Sequence, residues 1–146
     1  PAALKIEKLT ELPFCLGILT IDKEEQLQNT LLISQNTLLP THVETTLNGS
    51  REVKSVCISL ILGDEDDLTR FYIIDSLVLD LLDSPETRIF QIKVNCDETT
   101  GIKMSIKEES SNIDITKTIH PCHLQLCYQA FQVSISYNTS EWRNRY

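Results

Sequence analysis

The chain has 146 residues, enough for one domain with a sizeable core and too few for two comfortable ones. Hydrophobic residues make up 41%, yet no run of about 18 apolar residues offers a bilayer span. A net charge of −8, with basic residues clustered only at Arg143 and Arg145 beside Trp142, argues against nucleic acid as the main partner, because phosphate binding needs a basic stripe. The chain starts at Pro1 without the order of a secretion signal, and reads as a piece of a longer protein.

Short apolar segments punctuated by Pro or Gly open the chain, a pattern that suits strands and tight turns. Leu12-Pro13-Phe14-Cys15-Leu16-Gly17-Ile18 predicts a strand over 13–21. A second is expected over 27–35; Glu24 to Leu32 also fits a helical turn, but Pro40 and the alternation after it leave little room for one. Strands over 42–48 and 53–62 follow, separated by the Asn48-Gly49 turn. In the latter, Val56, Ile58, Leu60 and Leu62 share one face, with Cys57, Ser59 and Ile61 on the other. Gly63-Asp64 opens an acidic turn through Asp67, read as solvated because it lacks the spaced oxygen ligands of a calcium loop.

Alternation then predicts strands over 70–82, 88–96, 101–108 and 112–118, each with one apolar face for a core and a more polar one for water. The expected fold is all-β: a two-sheet antiparallel β-sandwich of about eight strands. After His120-Pro121 the pattern divides. Phe131, Val133, Ile135 and Tyr137 alternate as a strand would, while Leu124, Cys127 and Phe131 fit a helical face. The last eight residues read as frayed.

Catalytic chemistry finds little support. His120, Cys122, His123 and Cys127 are metal-ligand types, but four ligands within eight residues make tetrahedral ligation awkward, and packing or surface placement is the expected role. His42 has no marked nucleophile turn beside it, and there is no glycine-rich phosphate loop. The expectation is a non-enzyme with neither metal nor cofactor of its own. Five irregularly placed cysteines favour a reducing compartment over a disulfide scaffold, hence a cytoplasmic location.

Four segments in order carry a family resemblance. Leu12 to Ile18 resembles the opening of the β-sandwich substrate-binding domain of the seventy-kilodalton heat-shock chaperones. Asn36-Thr37-Leu38-Leu39-Pro40-Thr41 is similar to that family's Asn-Thr-Thr-Ile-Pro-Thr at nearly the same separation. Val56 to Asp64 resembles its strand ending in a Gly-Glu turn, and Phe90 to Cys96 with Thr100 to Glu108 its Asp-Gly-Ile hairpin. The resemblance spans residues 12–118. It implies residues 1–11 as an interdomain linker remnant and 119–146 as an extension too short for the family's helical lid.

The resemblance also implies function: a chaperone domain that holds extended apolar segments of unfolded proteins, under the control of a nucleotide-binding domain that carries ATP elsewhere, with co-chaperones as further partners. Carried over position by position, Ile18, Thr20, Leu47, Val56, Ile58 and Phe90 would line the pocket for one apolar side chain, with Leu39 and Pro40 supporting the loop behind it. Ile21 and Ser50 are the nearest matches for the arch over the peptide. The departures are a charged sequence, Asp22-Lys23-Glu24-Glu25, in place of a glycine-rich tip, and charges within the linker. They motivate an alternative: a degenerate sandwich acting as an assembly module for one dedicated protein partner. Neither reading involves nucleic acid or a membrane.

Overall fold

Period-two alternation organises the molecule, as the sequence predicts. The computed structural model describes residues 10–21, 27–49, 54–81 and 87–145. Eight strands follow one another: β1 (Cys15–Ile21), β2 (Leu27–Ile33), β3 (Thr41–Gly49), β4 (Ser55–Asp64), β5 (Asp67–Asp80), β6 (Arg88–Asp97), β7 (Gly101–Glu108) and β8 (Ile113–Ile119). A helix, α1 (Pro121–Arg145), ends the chain. The strands form two antiparallel four-stranded sheets, ordered β2-β1-β4-β5 and β3-β6-β7-β8. The fold is an all-β sandwich with one helix.

The inward sides of both sheets supply a single core. Leu16 and Ile18 of β1 and Ile58, Leu60 and Leu62 of β4 are fully buried, facing Ile92, Val94, Ile102, Met104 and Ile106 of the other sheet. Burying an aliphatic side chain of this size is worth about 1.5–3 kcal/mol, so this layer dominates the stability of the domain. One irregularity keeps it in phase. Leu60 pairs with Asp75 but Ile61 with Ile73, so β5 carries an extra residue at Ile74. Leu77 and Leu79 point inward on one side of this bulge and Tyr72 on the other, and Ile74 is itself buried. At the bulge Asp75 reaches Lys117 of β8 at 3.8 Å, an ion pair that links the edges of the two sheets.

Short polar caps make the turns. Asp97 accepts hydrogen bonds from the Thr99 N–H at 2.7 Å and the Thr99 hydroxyl at 2.6 Å, which hold its carboxyl below the ordinary value. Gly101 then leaves the turn at φ +83°. The acidic β4–β5 turn behaves as a turn: Asp64 accepts from the Asp66 N–H at 2.9 Å, and Asp67 from the Thr69 N–H at 3.1 Å.

The tail is a helix, which decides between its two sequence readings. The His120 ring nitrogen accepts the Cys122 N–H at 3.0 Å, and Pro121 occupies the first turn, where its missing N–H costs nothing. Leu124, Cys127, Tyr128 and Phe131 recur at helical spacing and are all buried. Phe131 packs on Phe14 with ring centroids 4.8 Å apart, and on Tyr72 at 6.4 Å. The helix continues to Arg145, further than the fraying expected over the last eight residues. No helix among the described residues is long and apolar enough to cross a membrane.

A Cβ at Gly101 would lie 2.0 Å from the Ile119 carbonyl oxygen, in a backbone conformation that L side chains avoid. Gly101→Ala is expected to destabilise the domain by about 3 kcal/mol or more in urea unfolding. Gly63→Ala, which meets only the Cys15 sulfur at 2.9 Å, should cost clearly less.

Candidate functional site

Strand register places the proposed pocket residues at one end of the sandwich. Leu47, near the end of β3, pairs with Phe90, near the start of β6. Val56 and Ile58 open β4 and pair with Leu79 and Leu77 of β5. Ile18 lies next to Leu60 in the register of β1 and β4, with Thr20 two residues further toward the same end. Side chains two apart share a face, so Ile18 and Thr20 look inward together, as do Val56 and Ile58.

The contacts bring most of them together. Ile18, Ile58 and Phe90 belong to the same core cluster, and Leu47 and Val56 pack against it from half-buried positions. Thr20 is half-buried and polar. Burial thus grades from the fully enclosed Ile18 and Ile58 to a rim formed by Thr20, Leu47 and Val56. Ile21, the first arch candidate, ends β1 with 58% of its surface exposed, on the opposite side of the strand from Ile18 and Thr20. Ser50, the second, lies outside the described residues, as do residues 1–9 of the linker remnant and Asp22 to Glu25 of the altered tip.

Leu39 and Pro40 are at the other end. Thr41, immediately after them, pairs with Cys96, whereas Leu47 pairs with Phe90 six residues along. At about 3.4 Å per residue the separation is roughly 20 Å, too far for the expected support of the pocket loop. Their role is local instead. The Leu39 N–H donates to the Thr10 carbonyl at 3.0 Å, and the Leu12 N–H to the Thr37 carbonyl at 3.0 Å. This segment therefore anchors the chain as it enters β1, and the Leu39–Pro40 peptide is cis.

Sequence reasoning missed a buried ion pair beside the candidate pocket residues. Arg88 pairs with Gly49 in the β3–β6 register, and Glu108 with Phe90 in the β6–β7 register. Both side chains are 1% exposed, and the guanidinium lies 4.0 Å from the carboxylate. Burial alone would raise the Glu108 carboxyl, but hydrogen bonds from the side chains and N–H groups of Ser110 and Ser111 outweigh it and hold the carboxyl below its ordinary 4.5. The available signal was positional. Arg88 continues the inward set of Phe90 and Ile92, and Glu108 that of Met104 and Ile106. A hollow of about 400 Å³ lies on the nearby β7–β8 turn, lined by Lys107, Glu108, Glu109, Asn112, Ile113 and Asp114.

The remaining candidates have structural surroundings. His42 is on the outer face of β3, where hydrogen bonds to Asn95 and then Glu44 raise its pKa, and neither partner is a nucleophile. The His123 Nε2 is 3.8 Å from the Cys127 sulfur and 3.5 Å from the Ile74 carbonyl oxygen. All five cysteines are free thiols. Burial, with Asp97 and Glu98 adding to it, pushes Cys96 up to about 11, and burial also raises Cys127, which makes both weak nucleophiles. Among the described residues no group of three or more His, Cys, Asp or Glu side chains is placed to hold a metal. No protein-family model matches the chain, and no curated protein matches it.

Removing one member of the buried pair leaves the other charge enclosed. Glu108→Gln is expected to cost about 3–5 kcal/mol in urea unfolding at neutral pH. Because the folded carboxyl titrates below its unfolded value, its stabilisation is complete above about pH 4.5 and lost as pH falls through the folded value. An acid titration of stability should therefore show a steeper decline for the wild type than for Glu108→Gln.

Proposed function

We propose that this domain binds extended apolar peptide segments, as the substrate-binding domain of a chaperone similar to the seventy-kilodalton heat-shock family. One observation carries the reading. Apolar side chains from both sheets converge at one end of the sandwich, with Ile18, Ile58 and Phe90 as a floor and Leu47 and Val56 at its rim. An extended peptide laid across such an end offers backbone groups to loops and strand edges and inserts one apolar side chain. The eight-stranded, two-sheet architecture is compatible with the fold that the resemblance implies. In this reading ATP belongs to a separate nucleotide-binding domain, this chain catalyses no reaction, and the five free thiols fit a reducing compartment such as the cytoplasm.

A second reading is favoured by the same burial. Ile18, Ile58 and Phe90 are 3% exposed or less, so the floor is already packed against its own core. A sandwich with so closed a floor suits an assembly module that engages one dedicated partner through surface loops.

The two readings part on a titration. A fluorescent Leu-rich peptide should bind with a dissociation constant in the micromolar range or weaker, with unfolded protein competing. Val56→Phe, which adds bulk at the rim, should weaken binding by roughly tenfold, or about 1.4 kcal/mol. A chain indifferent to such peptides, yet retaining a single protein in a pull-down, would support the assembly module and reject the chaperone reading.

A further inference from the structure

The buried pair of Arg88 and Glu108 meets the surface at the turn between β7 and β8, formed by Glu109, Ser110, Ser111 and Asn112. Both serine hydroxyls donate to Glu108, Ser110 to Oε1 and Ser111 to Oε2. The N–H groups of the same two serines add bonds to these oxygens at 3.2 and 2.8 Å. Oε2, the oxygen that Ser111 holds, is also the one that lies 4.0 Å from the Arg88 guanidinium. Ser110 is exposed and Ser111 half-buried, so the turn is the outer end of a relay. It runs from Ser111 to Glu108, from Glu108 to Arg88, and from Arg88 to Gly49, its register partner in β3. The turn is also acidic. Glu108 and Glu109 stand three and two positions before Ser111, and Asp114 three after it; Glu109 and Asp114 are exposed. Thr41, Ser105 and Ser111 are the serines and threonines of this chain with a carboxylate three positions on. Thr41 and Ser105 lie within paired strands, and the carboxylate that follows Ser105 is the enclosed Glu108. Ser111 alone of the three is in a turn.

We propose that Ser111 is a phosphorylation site for an acidophilic serine/threonine kinase, and that its phosphate undoes the clasp between Glu108 and Arg88. In the transfer, the bond from the γ-phosphorus of ATP to its bridging oxygen breaks and the phosphorus bonds to the Ser111 Oγ. The hydroxyl proton passes to the base of the kinase, and ADP leaves. A kinase with a basic substrate groove fits this acceptor, because the exposed carboxylates of Glu109 and Asp114 flank it. Glu108 holds the Ser111 hydroxyl in the closed turn, so the kinase acts on the turn in its opened form. The product cannot close in the same way. Esterification removes the proton that Ser111 donates, and a phosphate of charge about −1.5 to −2 takes its place beside a carboxylate. In surroundings less polar than water their repulsion is strong, and it drives Glu108 out of its position at Arg88. The change reaches the ends of β3 and β6, where Leu47 and Phe90 pair beside Gly49 and Arg88. This switch is independent of the peptide-binding reading, since it needs only the bonds of the turn and the buried pair.

Incubating the whole chain with ATP and an acidophilic kinase tests both the site and its effect. The intact mass should rise by one phosphate, and fragmentation should place it on Ser111. Asp114→Asn, at an exposed position, should slow the labelling by roughly tenfold, and Ser111→Ala should leave the turn unlabelled. In urea at neutral pH the phosphoprotein should show a folding equilibrium constant lower by roughly tenfold or more, with faster amide exchange over residues 88–90 and 105–108. Ser111→Ala, which loses the hydroxyl but gains no charge, should be destabilised less. A chain that takes up no phosphate, or takes it up only elsewhere, would overturn the site. A phosphoprotein as stable as the unmodified chain would overturn the effect on the clasp. One more stable would overturn it equally, by placing the phosphate on Arg88.

Discussion

The Ile and Leu layer between the two sheets governs the structure, because a side chain in that layer has no route back to water without turning a whole strand over. A shift of one residue in register would send every inward side chain of a strand to the outside. The pairings of β1 with β4 and of β3 with β6 are therefore fixed by the same apolar set, from Leu16 and Ile18 on one side to Ile92 and Val94 on the other. The bulge in β5 follows from this demand. An extra residue, Ile74, itself buried, allows a 14-residue strand to keep Tyr72 inward before it and Leu77 and Leu79 inward after it.

A sandwich closed by side chains still has two open ends, and this one treats them differently. At the end where β1 begins, the aromatic contacts of Phe14, Tyr72, Tyr128 and Phe131 join α1 to the core. The opposite end holds the pocket candidates and, next to them, an enclosed ion pair instead of another apolar residue. Arg88 and Glu108 bring charge within a strand or two of Leu47 and Phe90. Such a pair adds little net stability compared with apolar packing, but it tolerates no loss of either partner. The end that would meet a peptide is thus the one with the strongest demand on its local geometry.

Much of the fold was legible because alternation reports on a physical requirement. Val56, Ile58, Leu60 and Leu62 fall on one face in the sequence and on the inward face of β4 in the structure. The pocket candidates were legible to a lesser degree: Ile18, Ile58 and Phe90 do meet, but Leu39 and Pro40 belong to the opposite end. A motif spaced correctly along the chain still says nothing about which end of a strand faces which loop until the pairing is known. Ser59 and Ile61 show the same gap. Their alternation suggested a more polar, solvated face, yet Ile61 is fully buried and Ser59 6% exposed.

By itself the sequence determined the number and type of the strands, the acidic and glycine-bearing turns between them, and the inward apolar set, since these depend on neighbours within a few residues. Only the tertiary structure decided that the tail is a helix, that Arg88 and Glu108 share a buried contact, and that Ile61 is enclosed. Each of these depends on residues distant in sequence. Phe131 reads as strand or helix until Phe14 and Tyr72 present a surface for it, and a lone arginine reads as solvated until a carboxylate arrives from another strand.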